Sequence, residues 1–223
     1  MAAGRAKKRT SEPPVTVELA ALTPFHGDLL EGGADFEAID FRDGDFGGQV
    51  APDLRFLGCR IERCRLDGVL MPRARIAESL LAELSATTLA LPDSDWRESL
   101  IVDARIGALT VSGATWKSVR VRGGKLNFVD LTAARLADVV FEGCAIGELD
   151  LGDARLESVH FDACEIDELG REGARLTKVD LSTTGLRRIR GIDGLRGATI
   201  GREQLLDLAP ILAEHLGFIV REE

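Results

Sequence analysis

From Ala134 onward the chain repeats nearly the same twenty residues three times, as ARLADVVFEGCAIGELDLGD, ARLESVHFDACEIDELGREG and ARLTKVDLSTTGLRRIRGID. Inside each copy a large apolar residue returns at every fifth position, as Leu136, Phe141, Ile146 and Leu151 do before Leu156 begins the next. Carrying that step outward from Phe36 to Leu186 gives 31 positions, apolar at every one except Arg171. Apolar residues make up 45% of the chain, so chance does not supply such a run.

A second rule sits two residues before each centre. From Ala104 onward small and large residues alternate there, as Ala104, Leu109, Ala114, Val119, Gly124 and Val129 do, and the alternation persists to Ala174 and Val179. Pro52, Pro72 and Pro92 repeat at the same spacing of twenty in the less regular first half. A step of five is neither the period of a strand nor that of a helix. A fixed period of this length means a repeat architecture. Four short extended sides joined by corners close a square, and successive squares stack through backbone hydrogen bonds at the strand spacing of ~4.8 Å. The expected fold is an all-β solenoid in which twenty residues make one coil.

The segments AARLA, DARLE and VDLTA are loose matches to Ala-(Asp/Asn)-Leu-X-X, and through them the chain resembles the pentapeptide-repeat family. The resemblance covers roughly residues 34–200 and implies a right-handed quadrilateral β-helix, with the central residue and the small residue before it facing inward. Arg135, Arg155 and Arg175 depart from the motif, which usually has Asp or Asn at that place.

About eight coils fit between Ala34 and Asp193. At ~4.8 Å each they span on the order of 40 Å. Nine Phe, two Trp and no Tyr suit a narrow interior without polar handles. Cys59, Cys64, Cys144 and Cys164 all fall at the small inward position, which reads as core packing rather than a disulfide or metal set. No metal and no cofactor are expected, and a reducing, cytoplasmic location fits the free thiols. No apolar run approaches a membrane span, and the N-terminal MAAGRAKKRT lacks the apolar region of a signal peptide.

Solenoid ends need covers, because an open coil exposes apolar interior and unpaired backbone. Residues 1–14 read as a disordered basic terminus, and 15–33 as an N-terminal cap in which Val15, Val17, Leu19 and Leu22 form a strand or turn over the first coil. In the first coils Gln49 and Leu54 occupy the inward second position and Ala51 and Ala86 are undersized centres, which we read as local changes of shape. At the far end the pattern slips by one residue, with the last centres at Leu195 and Ile200. Residues 201–223 then form a C-terminal helix and tail. Leu205, Leu208, Ala209, Leu212 and Leu216 share one face, Gly217 stops the helix and Pro210 should kink or divide it. Leu206 and Ile211 lie off that stripe as surplus apolar surface, which marks a dimer interface with a second copy.

Catalysis finds no support in this pattern. The interior is filled by its own side chains, and His26, His160 and His215 fall in the cap, on an outward repeat position and in the terminal helix. Charge is the organised outside feature. Residues 34–103 carry 14 acidic and 8 basic residues; 104–129 carry five basic (Arg105, Lys117, Arg120, Arg122, Lys125) and no acidic residues; 134–173 carry eleven acidic against three basic. The resemblance implies a function at this point. Members of the mycobacterial and plasmid-borne quinolone-resistance types are dimeric rods that imitate duplex DNA and occupy the DNA-binding saddle of DNA gyrase, and this chain resembles the mycobacterial type in its continuous coils and terminal helix. On that reading the partner is DNA gyrase or another type II topoisomerase. The contact acids are Asp138, Glu142, Glu148, Asp153, Glu157, Asp162, Asp167, Glu168 and Glu172, each standing in for a phosphate. The alternative is a rigid protein-protein scaffold with no topoisomerase role. No membrane and no direct nucleic-acid partner is expected, since the net charge is −9. The basic stretch 104–129 and the column Arg135, Arg155, Arg175 oppose a phosphate-like surface wherever they lie on the contact face.

Overall fold

A computed structural model describes residues 17–170, 172–190 and 195–220. The basic terminus 1–14, Val15 and Arg171 lie outside the described residues. Among the described residues the apolar residue at every fifth position turns inward as the spacing requires, and the chain winds into an all-β parallel solenoid of about nine turns closed by one C-terminal helix. The extra turn over the expected eight comes from the ends. Thr23–Pro24 pairs with Ile39–Asp40, and Ala198–Thr199 pairs with Val179–Asp180.

The solenoid has four sides, named here by their first centres. The first runs from Phe36 through Trp96 and Trp116 to Leu176, and the second from Phe41 through Phe141 and Phe161 to Leu181. The third runs from Phe46 to Leu186, and the fourth from Ala51 through Leu131 to Leu151. Within a side, residues twenty apart are directly paired in parallel register, as Arg135, Arg155 and Arg175 are. Strands Arg135–Glu142 and Arg155–Asp162 pass around the corner between the first two sides and join them into one 15-stranded sheet. The third side forms a separate 7-stranded sheet.

Corner chemistry explains the fourth side. Its turns place proline at Pro52, Pro72 and Pro92 and a residue with positive φ directly after, at Asp53 (60°), Arg73 (58°) and Asp93 (56°). Proline fixes the first turn residue and the left-handed conformation of the next completes the reversal.

The core consists of the centres and the residues two before them. Trp116, Phe141 and Phe161 are each 1% exposed, and Ala114, Val119, Val139, Ala154 and Cys164 are fully buried. Phe141 lies on Phe161 with ring centroids 4.7 Å apart and planes 3° from parallel. All four cysteines are buried free thiols. Ala51 is fully buried although undersized, whereas Ala86 is half-buried. Gln49 is satisfied by the cap, accepting from the Leu30 amide at 2.7 Å and donating to the Asp28 carbonyl at 2.8 Å.

Val17, Leu19 and Leu22 of the N-terminal segment are half-buried. Phe25, equally half-buried, packs against the core and closes the coil, its ring 4.5 Å from Phe41 and 5.7 Å from Phe36, with Leu30 buried nearby. An aromatic ring covers the mouth of the coil with one side chain where aliphatic residues need several.

At the C-terminal end the slip of one residue is present, since Ala198 faces Val179 at a separation of nineteen. The helix Arg202–His215 runs through Pro210 without dividing. It ends in a Schellman turn, with Phe218 N donating to Ala213 O at 2.8 Å, Gly217 N to Glu214 O at 3.0 Å, and Gly217 at φ 74°. Its packed face departs from the expected stripe. Leu208 is buried and Gln204, Ile211 and Leu212 are half-buried, while Leu205, Ala209 and Leu216 are exposed. The Gln204 amide decides the rotation, donating to the carbonyls of Leu181 and Thr184 at 2.7 and 2.6 Å. Ile211 therefore lies on the docked face, and Leu206, 68% exposed, is the residue left outside.

Candidate interaction surface

The interior offers no room for a ligand, being a narrow apolar void of about 40 Å³ lined by centres such as Phe41, Trp96 and Phe141. Among the described residues no three His, Cys, Asp or Glu side chains come together to hold a metal ion, and no helix is long and apolar enough to cross a membrane. The outer sides carry the chemistry.

In the first coils five aspartates are internally neutralised. Arg55, Arg60, Arg63, Arg65 and Arg73 each stand twenty residues after an aspartate, at Asp35, Asp40, Asp43, Asp45 and Asp53, and each pairs with it across one turn. The Arg60 guanidinium grips Asp40 through Nε at 2.8 Å and Nη2 at 2.5 Å. That hydrogen bond holds the Asp40 carboxyl below the usual carboxylate range, and Arg63, Arg65 and Arg73 do the same for Asp43, Asp45 and Asp53. These five pairs escaped the reading of charge by segment, although the spacing of twenty between Asp and Arg stands in the sequence.

The nine acids of residues 138–172 are spread over all four sides. Asp138 and Glu157 lie on the first, Glu142 and Asp162 on the second, Glu148, Asp167 and Glu168 on the third, and Asp153 and Glu172 on the fourth. Glu142 stacks on Asp162 and Glu148 on Glu168, each pair directly across a strand ladder. Four are held by cations: Glu142 by Arg120 at 3.1 Å, Asp167 by Arg187 at 3.2 Å, Glu168 by Arg188 at 3.2 Å and by Arg190 at 2.6 Å, and Glu148 by Arg190. Asp138, Asp153, Glu157 and Glu172 have no ion-pair partner among the described residues. The basic stretch is divided likewise, with Lys117 on the first side, Arg120 and Arg122 on the second, and Arg105 stacked on Lys125 on the third.

Some of the arginines form a column. Arg135, Arg155 and Arg175 stack exposed on the first side, while Arg187, Arg188 and Arg190 lie on the third among its carboxylates. The helix leaves Leu206, Leu216, Phe218 and Ile219 exposed at the far end.

Both inward positions of the five-residue unit are filled as described, and the units pair in register at twenty. The fold is a four-sided parallel β-solenoid with a C-terminal helix. No family model matches the sequence, and no curated protein matches it. Among solved structures, this solenoid is similar to full-length QnrB1, a plasmid-mediated fluoroquinolone resistance protein. That pair is 15% identical over 88% of this chain and 100% of the other, with a TM-score of 0.35. A trypsin-treated form of QnrB1 is 17% identical over 91% of this chain and 98% of the other, with a TM-score of 0.32. HetL, a pentapeptide repeat protein involved in heterocyst differentiation regulation from the cyanobacterium Nostoc sp. strain PCC 7120, is 15% identical over 72% and 91%, with a TM-score of 0.24. At these identities and TM-scores the likeness carries no information about the partner or role of this solenoid.

Proposed function

We propose that this repeat scaffold acts by presenting carboxylates of its third and fourth sides to the basic, DNA-binding surface of a protein partner, in place of duplex DNA. The observation that supports this most is the set of carboxylates left unpaired. Asp153 and Glu172 on the fourth side have no ion-pair partner among the described residues, and the column Arg135, Arg155 and Arg175 lies on the first side. A rigid row of carboxylates on one flank of a rod is complementary to a groove charged to receive phosphates, and such complementarity speeds and orients encounter. DNA gyrase, or another type II topoisomerase, is the partner proposed, with modulation or protection from inhibitors as the outcome. A dimer through the C-terminal end, where Leu206 is exposed, doubles the length of that flank.

A gyrase supercoiling assay with and without a fluoroquinolone, at two salt concentrations, tests this. Inhibition or drug protection that weakens with salt and with Asp153→Asn and Glu172→Gln supports it; no effect at large molar excess removes it. A second reading, a scaffold for a different protein, is favoured by one observation. Arg187, Arg188 and Arg190 already occupy Asp167, Glu168 and Glu148, which lowers the negative charge of the third side.

A further inference from the structure

We propose that the first side, along the column Arg135, Arg155 and Arg175, binds an extended acidic peptide segment of a protein partner. This is independent of the proposal for the third and fourth sides, because it uses the opposite charge on a different side of the rod.

The three residues are direct neighbours in parallel register, so their guanidiniums leave successive strands at ~4.8 Å intervals. All three are exposed and none has an ion-pair partner among the described residues. Exposed Lys117 and Lys178 flank the column, and the acids on that side in these coils are Asp138 and Glu157. Like charges directly opposite one another across a ladder are destabilising. The column thus stores repulsion that an arriving anion relieves.

The chain itself shows what such an arginine does with a carboxylate. In the first coils Arg60 takes Asp40, one strand away, through two nitrogens. A carboxylate supplied from outside meets the same fork at Arg135, Arg155 and Arg175, and planar two-point pairing with carboxylates is what guanidinium geometry favours. Alternate side chains of an extended peptide project to one face about 6.8 Å apart, a mismatch with the ladder that long arginine stems absorb.

Nucleic acid fits this side less well. Unpaired strands are held by stacking on aromatic rings, and both tryptophans of this side, Trp96 and Trp116, are buried. A duplex is broader than one side and overlaps the carboxylates of its neighbours.

The test is fluorescence anisotropy of the full-length protein with a fluorescein-labelled peptide of alternating Glu and Thr, at about 50 and about 200 mM salt. Saturable binding that weakens at the higher salt is expected, with about tenfold loss in Arg155→Gln and full loss in Arg155→Glu. The double variant Arg135→Gln, Arg175→Gln repeats the measurement without altering the middle residue, and Lys125→Gln on the third side leaves affinity unchanged. Thermal melts confirm that the variants fold. Absence of binding by the wild-type protein, equal binding by Arg155→Glu, or tighter binding of a single-stranded oligothymidine than of the peptide overturns the proposal.

Discussion

The indole Nε1 of Trp96 donates to Ser94 Oγ at 2.9 Å, whereas that of Trp116, paired with it one turn later, is buried without an acceptor among the described residues. The difference is one atom: the position two before Trp116 is Ala114, where Ser94 stands for Trp96. Ser94 also donates to the Leu91 carbonyl at 2.7 Å, so its hydroxyl is satisfied on both sides. A buried donor left unpaired costs about 1–3 kcal/mol. Ala114→Ser should therefore raise stability by about 1 kcal/mol, seen as a rise of ~2–4 °C in midpoint temperature. A fall in the melting temperature would show that the site lacks room for the hydroxyl.

The aspartate-arginine pairs of the first coils make a pH-dependent staple. Asp40, Asp43, Asp45 and Asp53 are held below their ordinary values by arginine. A depressed carboxylate contributes stability that is fully present above the unfolded value of about 3.9 and is lost as pH falls through the lower folded value. Below about pH 3.9 the coils of residues 34–73 should therefore open before those of 134–170, which hydrogen exchange by residue will read. At neutral pH Asp40→Asn should cost about 1 kcal/mol, because Arg60 loses its two-point partner and keeps only Glu62, at 3.8 Å.

The thiols should be inert in the native protein. Cys59 and Cys64 are pushed up by burial; the hydrogen bond between Cys144 and Cys164 pushes Cys144 up and Cys164 down, and Cys164 is kept from reagents by its complete burial. A chromogenic disulfide reagent at neutral pH should detect no thiol before denaturation and all four after it. Rapid reaction of a native thiol would show that the coils open locally.

Leu206 and Ile211 separate two roles at the helix. Leu206→Glu, at an exposed site, should leave the melting temperature unchanged and convert the proposed dimer to a monomer in light scattering. Ile211→Glu, on the docked face, should lower stability by about 1–3 kcal/mol through burial of a charge. An unchanged mass for Leu206→Glu removes the helix as the interface.

Much of this architecture was legible because a five-residue step admits few solutions. Phe36, Trp96 and Leu136 had to face inward together, and the slip before Leu195 was visible as a break in the same count. The interruption at the ends was less legible. Phe25 lies outside the repeat, and its closure of the coil depends on where the preceding chain returns. The helix face was misjudged because periodicity describes a helix alone, while the Gln204 hydrogen bonds to Leu181 and Thr184 turned it.

The sequence by itself determined which residues are inside, which are outside and which are stacked, because spacing in a solenoid is position in space. Only the tertiary structure decided which charges remain available. Pairing depends on reach across a turn, so Asp40 disappears into Arg60 and Glu148 into Arg190, forty-two residues away, while Arg135, Arg155 and Arg175 stack on one another with no ion-pair partner among the described residues. A net charge per segment has no direction, and folding around four corners gave these charges one.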